Sequence, residues 1–137
     1  MQVIPLYQDE MVAVLPEGHP LAAYPAVPLS ELAACPFILL DEGEISVPLK
    51  AFGRCGLRPD IQYRVYDDDS ILTMVEQGLG VSILYQMVAQ NPMRACAVRP
   101  IEPAVVRTVA LACKNRRTVP VASRYFMKFI LEHFQEA

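Results

Sequence analysis

Apolar residues in this chain come in short runs, each cut off by a turn former. Met11-Val12-Ala13-Val14-Leu15 is closed by Pro16-Glu17-Gly18, Phe37-Ile38-Leu39-Leu40 is broken by Asp41-Glu42-Gly43-Glu44, and Val81-Ser82-Ile83-Leu84-Tyr85 follows a glycine. Runs of this length, bounded in this way, have the dimensions of strands buried on both faces. Ile61 to Tyr66 alternates, with Ile61, Tyr63 and Val65 set against Gln62 and Arg64, and reads as a further, half-buried strand. Val105 to Cys113 reads as the last one.

Helical signals lie between the strands. Leu29-Ser30-Glu31-Leu32-Ala33 predicts a short helix. Ser46 is placed as an N-cap, with Pro48 tolerated in the first turn of a helix that runs to about Arg54 and stops at Gly56. Asp67-Asp68-Asp69 leads into a helix at Ser70, whose face is Ile71, Met74 and Val75 and whose stop is Gly78. The clearest helix is the last, Val121 to Gln135, with Ala122, Tyr125, Phe126, Phe129, Ile130 and Phe134 on one stripe. Strands alternating with helices at these spacings predict an α/β fold, an open sheet with flanking helices joined by parallel crossovers. Ligands bind such sheets outside the carboxyl ends of the strands. That rule singles out Leu40 to Ile45, Tyr66 to Ser70, and Leu84-Tyr85.

Composition removes several function classes. Net charge is −3, and Lys114, Arg116 and Arg117 form only a short basic knot; a surface that neutralises several backbone phosphates needs clustered cations, so the chain reads as a poor nucleic-acid binder. No apolar stretch approaches the ~18 residues that span a bilayer, and Met1-Gln2-Val3-Ile4-Pro5 lacks the charged and apolar regions of a signal peptide. The expected location is the cytoplasm, with no membrane contact. The four cysteines, Cys35, Cys55, Cys96 and Cys113, show no metal-ligand spacing and read as reduced thiols. His19 reads as a turn residue and His133 as lying at the edge of the final helix's stripe. Ser82 has neither a neighbouring His nor a Gly-x-Ser-x-Gly context. Gly78-Leu79-Gly80 lacks the third glycine of a dinucleotide loop and follows a helix rather than a strand. The expectation is a non-enzyme without metal or cofactor. The acids at 41, 42 and 44 and at 67 to 69 admit two readings. They either complement helix dipoles, at ~0.3–1 kcal/mol each, or form an acidic mouth for a ligand bearing a cation.

The order of these segments resembles a known family. Met11 to Pro16 followed by His19-Pro20-Leu21-Ala22, Leu29-Ser30-Glu31-Leu32, Pro36-Phe37-Ile38, Gly56-Leu57-Arg58-Pro59 and Met74 to Leu84 is similar to the second lobe of LysR-type effector-binding domains. The resemblance covers about residues 6 to 135. It implies one lobe of a periplasmic-binding-protein-like type II fold: residues 1–7 as a hinge segment from the first lobe, 8–116 as the second lobe, and 117–137 as a return hinge with the first lobe's terminal helix. It further implies a regulator that senses a small-molecule effector in its interlobe cleft and binds DNA through a separate N-terminal module that this chain lacks. The ligand contacts it implies are Leu40, Asp41, Glu42, Gly43, Glu44, Ile45 and Ser46, with Gly80, Val81 and Ser82. Many members place a proline after the strand ending near Leu84; Tyr85 stands here, which puts that edge of the pocket in doubt. Two other classes use related folds, the solute-binding protein of a transporter and a two-lobed enzyme. Without most of a first lobe to cover it, the aromatic face of the last helix would meet water, and a dimer through that helix is expected.

Overall fold

The computed structural model of the chain describes residues 1–135. Two compact units emerge, Glu10–Val105 and a terminal unit made of Met1–Asp9 with Val106–Ala137. The units meet at 9/10 and 105/106, and within the terminal one Arg107 ion-pairs with Asp9.

In the Glu10–Val105 unit the sheet is built around β1 (Gln2–Pro16). β1 pairs antiparallel with β5 (Ser82–Tyr85), from Met11↔Tyr85 to Val14↔Ser82. Its other side pairs antiparallel with β6 (Cys96–Glu102), which pairs parallel with β2 (Val27–Pro28). β3 (Pro36–Leu40) and β4 (Asp60–Val65) run parallel. A parallel bridge at Phe37↔Val81 joins them to the rest, the Ile38 N–H donating to the Val81 carbonyl at 2.8 Å and the Val81 N–H to the Pro36 carbonyl at 2.9 Å. The order is therefore β4-β3-β5-β1-β6-β2. It is a mixed sheet rather than the parallel one expected, because β1 enters against the direction of both neighbours.

Side-chain alternation along β1 explains its unbroken apolar run. Met11, Ala13 and Leu15 enter one core with Phe37, Leu39, Ile83 and Phe52; Val12 and Val14 enter the other with Ile38, Leu84, Ile71, Leu72 and Val75. Both faces are covered, so every position has to be apolar. The first cover consists of α1 (Leu29–Ala33) and α2 (Val47–Arg54), the second of α3 (Asp68–Glu76) and the short α4 (Gln86–Ala89). Phe52 meets Phe37 edge-on at 5.5 Å between ring centroids, the geometry that ring quadrupoles favour.

Local signals set the helix ends. The Ser46 hydroxyl accepts from the Leu49 N–H at 3.3 Å and caps α2. At the other end the Gly56 N–H reaches the Gly53 carbonyl and the Leu57 N–H reaches the Phe52 carbonyl, a Schellman closure with Gly56 at φ 69°. Gly78 closes α3 in the same way. α3 begins two residues before the expected Ser70, because Asp67 takes the cap position.

In the terminal unit β7 (Val106–Cys113) pairs with β1, and α5 (Val121–Gln135) follows a turn. Buried Asp9 pairs with Arg107 at 3.2 Å, and Tyr7 stacks on Phe134 at 5.2 Å. The one α5 side chain buried among those described is Met127; Ile130, Leu131 and Phe134 are half-buried. Of the expected stripe, Ala122, Tyr125, Phe126 and Phe129 lie exposed.

Candidate functional site

Register fixes which ends of the strands share an edge. Leu40 pairs with Val65 at the carboxyl ends of β3 and β4, and β5 runs in the same direction through the Phe37↔Val81 bridge. Leu84 therefore lies level with Leu40. Val12 pairs with Leu84 on one side and with Pro100 on the other, which brings the end of β6 to the same edge. The chain also leaves this unit there, the Met11 N–H donating to the Val105 carbonyl at 2.8 Å. α2, α3 and α4 each follow a strand that ends at this edge, so their N-termini line it.

The loop from Leu40 to Ser46 is the most built part of the edge. The Asp41 N–H donates to the Val65 carbonyl at 2.7 Å, tying the loop to β4. Asp41 Oδ1 accepts from the Gly43 N–H at 3.1 Å, closing a tight turn in which Gly43 adopts φ 95°. That left-handed conformation disfavours a side chain. Asp41 and Ser46 are half-buried, whereas Glu42, Glu44 and Ile45 are exposed.

The second acidic stretch is occupied locally. Asp67 Oδ2 accepts from the Ser70 N–H at 3.0 Å and from the Ser70 hydroxyl at 2.6 Å. The hydroxyl contact first, then the backbone amides, hold the Asp67 carboxyl below the usual carboxylate range. Asp69 forms an ion pair with Arg94 at 2.7 Å, and Arg94 also reaches Glu76 at 3.5 Å. Asp67 thus caps the helix end, and Asp69 is engaged by Arg94. Exposed acid without such ties remains at Glu42 and Glu44.

Gly80, Val81 and Ser82 lie elsewhere. Val81 is level with Phe37, at the amino end of the strands, and all three residues are buried. A Cβ on Gly80 would stand 2.7 Å from the Pro36 carbonyl oxygen, so glycine here serves close strand packing. The Ser82 hydroxyl donates to the Ile38 carbonyl at 2.6 Å and is fully buried. The structure thus brings Leu40 to Ser46 together with Tyr66 to Ser70 and Leu84-Tyr85, and does not bring Gly80 to Ser82 to that edge. The edge residues that sequence reasoning missed are those where β6 ends and the chain departs, Pro100 to Val105. Proline and arginine within that strand masked its signal.

Cys35, Cys96 and His19 lie away from this edge, at the opposite ends of the strands. Among the described residues no three His, Cys, Asp or Glu side chains converge as a metal site. Burial, and then the Glu31 carboxylate, pushes the Cys35 thiol above its ordinary value; burial, and then Glu76, does the same for Cys96. Such thiols are poor nucleophiles. The His19 imidazole Nδ1 accepts from the Leu21 N–H at 3.1 Å and caps a turn. What the edge offers is a set of helix N-termini, two fixed turns and a few polar side chains, the equipment of a binding site.

An open mixed sheet with helices on both faces and helix N-termini along the carboxyl ends of its strands has the architecture of a class of ligand-binding α/β domains. Comparison with known proteins specifies it further. The family model described as LysR substrate binding domain matches residues 1–135, and the chain belongs to that family. It is 32% identical over 136 residues to the HTH-type transcriptional regulator YvbU of Bacillus subtilis, covering 98% of this chain and 47% of that protein. The crystal structure of HinK, a LysR family transcriptional regulator from Pseudomonas aeruginosa, superposes with a TM-score of 0.81 at 26% identity, covering 97% of this chain and 48% of that one. The effector binding domain of QuiR in complex with shikimate gives a TM-score of 0.76 at 26% identity, with 98% and 66% covered. The fold is accordingly of the periplasmic-binding-protein-like type II kind. The chain spans about half the length of the curated relatives it matches.

Proposed function

We propose that this chain is the effector-sensing part of a LysR-type transcription regulator, and that its effector binds at the carboxyl edge formed by Leu40 to Ser46, Tyr66 to Ser70 and Leu84-Tyr85. The observation that carries this is the convergence of three strand ends and three helix N-termini on one edge. A neighbour of the same fold, QuiR, holds shikimate in its effector binding domain. Gly80 to Ser82 act from behind, setting the register of β5 against β3 and hence the level of the edge. The protein is a binding module rather than an enzyme and works in the cytoplasm, where regulators of this family meet DNA. DNA contact belongs to the longer regulator's own DNA-binding module. Ligand control of such a regulator requires different affinities for its two states.

A thermal-shift screen of metabolites on the intact regulator tests this. A true effector raises the melting temperature in a dose-dependent manner, and replacing Ser46 and Asp41 together by alanine removes the rise. An effector whose rise survives that replacement rules out the proposed edge.

The exposed aromatic face of α5 supports a finer reading, in which a second copy of the 137-residue chain covers Tyr125, Phe126 and Phe129. Exposed at 71%, 60% and 65%, they form an apolar face on one helix. A symmetric pair would use the same face twice. Light scattering of wild type against a Phe126→Glu/Phe129→Glu variant decides the point. A dimer is expected for wild type at ~100 µM, since such contacts have micromolar affinities, and a monomer for the variant.

A further inference from the structure

The two units carry opposite charge. Glu10–Val105 contains twelve Asp and Glu against six Lys and Arg; residues 1–9 and 106–137 contain three acids against six Lys and Arg. Five of the six terminal cations fall between Lys114 and Lys128, in the turn before α5 and on its first two turns. That turn is well tied. The Arg116 N–H donates to Gln2 Oε1 at 2.8 Å, the Arg117 N–H to Asn115 Oδ1 at 2.9 Å, and the Thr118 N–H to the Asn115 carbonyl at 3.2 Å.

These ties fix Arg116 beside a cavity of about 390 Å3 that Arg124 and Lys128 also line. Arg124 and Lys128 are four residues apart and share a helix face. Met127 and Leu131 supply the apolar wall, and Glu132 closes the lining. Elsewhere in the chain, Arg94 and Arg107 have carboxylate partners. Among the described residues, Arg116, Arg124 and Lys128 form no ion pair. Three like charges around one cavity repel one another, and an anion placed among them relieves that repulsion.

We propose that this cavity binds a small organic anion, a phosphomonoester or dicarboxylate with a short apolar body. The guanidinium groups of Arg116 and Arg124 suit the bidentate geometry of phosphate and carboxylate. Lys128 adds a point charge, and Met127 and Leu131 take the apolar part. Glu132 lowers the site's net charge to about two, which favours dianions over more highly charged ligands. The volume lies at the lower end of the usual small-molecule range of ~300–1,000 Å3. Nothing in this site depends on the ligand edge of the Glu10–Val105 unit, so the two readings stand or fall separately.

An amide NMR titration of the 137-residue chain with phenyl phosphate, and with benzylamine as its cationic counterpart, tests the proposal. Phenyl phosphate should shift the amides of Arg116, Arg124 and Lys128 saturably, and binding should weaken as salt rises. The Arg124→Gln/Lys128→Gln variant keeps good helix formers at exposed positions, and its affinity should fall by about tenfold or more. An Arg116→Gln variant, outside the helix, gives an independent loss. Absence of saturable shifts up to ~10 mM phenyl phosphate, which means binding weaker than that, overturns the proposal. So do equal binding of benzylamine, undiminished binding by both variants, or shifts confined to residues 41–46 and 66–70.

Discussion

One strand, β1, passes through two different environments. Met11 to Leu15 are all buried, while Gln2, Val3, Pro5 and Gln8 in its first half are exposed. In the Glu10–Val105 unit the strand has partners on both sides and helices over both faces, and two cores form around it. In the terminal unit it pairs with β7, and α5 leaves Tyr125, Phe126 and Phe129 exposed. The acidic unit is thus a finished core covered on both faces. The basic unit holds its shape with an ion pair between buried Asp9 and exposed Arg107, one aromatic stack and a short apolar contact. The two halves differ in their supply of covering helices.

The largest effects should come from the finished core. Phe52→Ala removes a fully buried ring and should cost ~3–5 kcal/mol in urea denaturation. Phe126→Ala, at low protein concentration, should stay within about 0.5 kcal/mol. Equal costs would erase the distinction between the two units. Next comes Gly80→Ala, whose new methyl would meet the Pro36 carbonyl. It should destabilise by ~1–3 kcal/mol, the usual range for overpacking, and weaken protection of the Val81 and Ile38 amides in hydrogen exchange. A neutral outcome would mean that the β3–β5 junction gives way easily.

Smaller still are the helix caps at the edge. Ser46→Ala should cost about 1 kcal/mol, read from the urea midpoint. Asp67 adds a pH signature. Its carboxyl is held low by Ser70, so its charge-dependent contribution is complete above the unfolded value of about 3.9 and is lost as pH falls through the lower folded value. The stability of wild type relative to Asp67→Asn should be level between about pH 7 and 5 and shrink below about pH 4. A gap that widens on acidification would reverse the sign and refute the assignment.

Much of this was legible from residue types. α1 and α5 carry the bounds their periodicity predicts, and Ser46, Gly56 and Gly78 cap or stop helices as their chemistry requires. Leu40 to Ile45, Tyr66 to Ser70 and Leu84-Tyr85 lie at the carboxyl ends of β3, β4 and β5 because strand direction alone decides it. Depth along a strand is another matter. Gly80 to Ser82 resemble a binding stretch in sequence, yet their level is set by the Phe37↔Val81 register, which no local pattern encodes. β6 escaped notice because Pro100 cannot donate to a ladder and Arg99 looks solvent-facing; in the fold Arg99 donates to the Ala22 carbonyl at 3.0 Å and pins a turn. The charge difference between units was hidden in a total of −3, since it appears only once the chain is divided in space.

Residue-resolved hydrogen exchange on the intact regulator, with and without an effector found by thermal shift, tests the central claim most directly. Slowed exchange is expected at the amides of Asp41 to Ser46, at the first turns of α2 and α3, and near Tyr85, with Gly80 to Ser82 already protected in the free protein. Protection that leaves Asp41 to Ser46 unchanged and appears only in other parts of the regulator would contradict it.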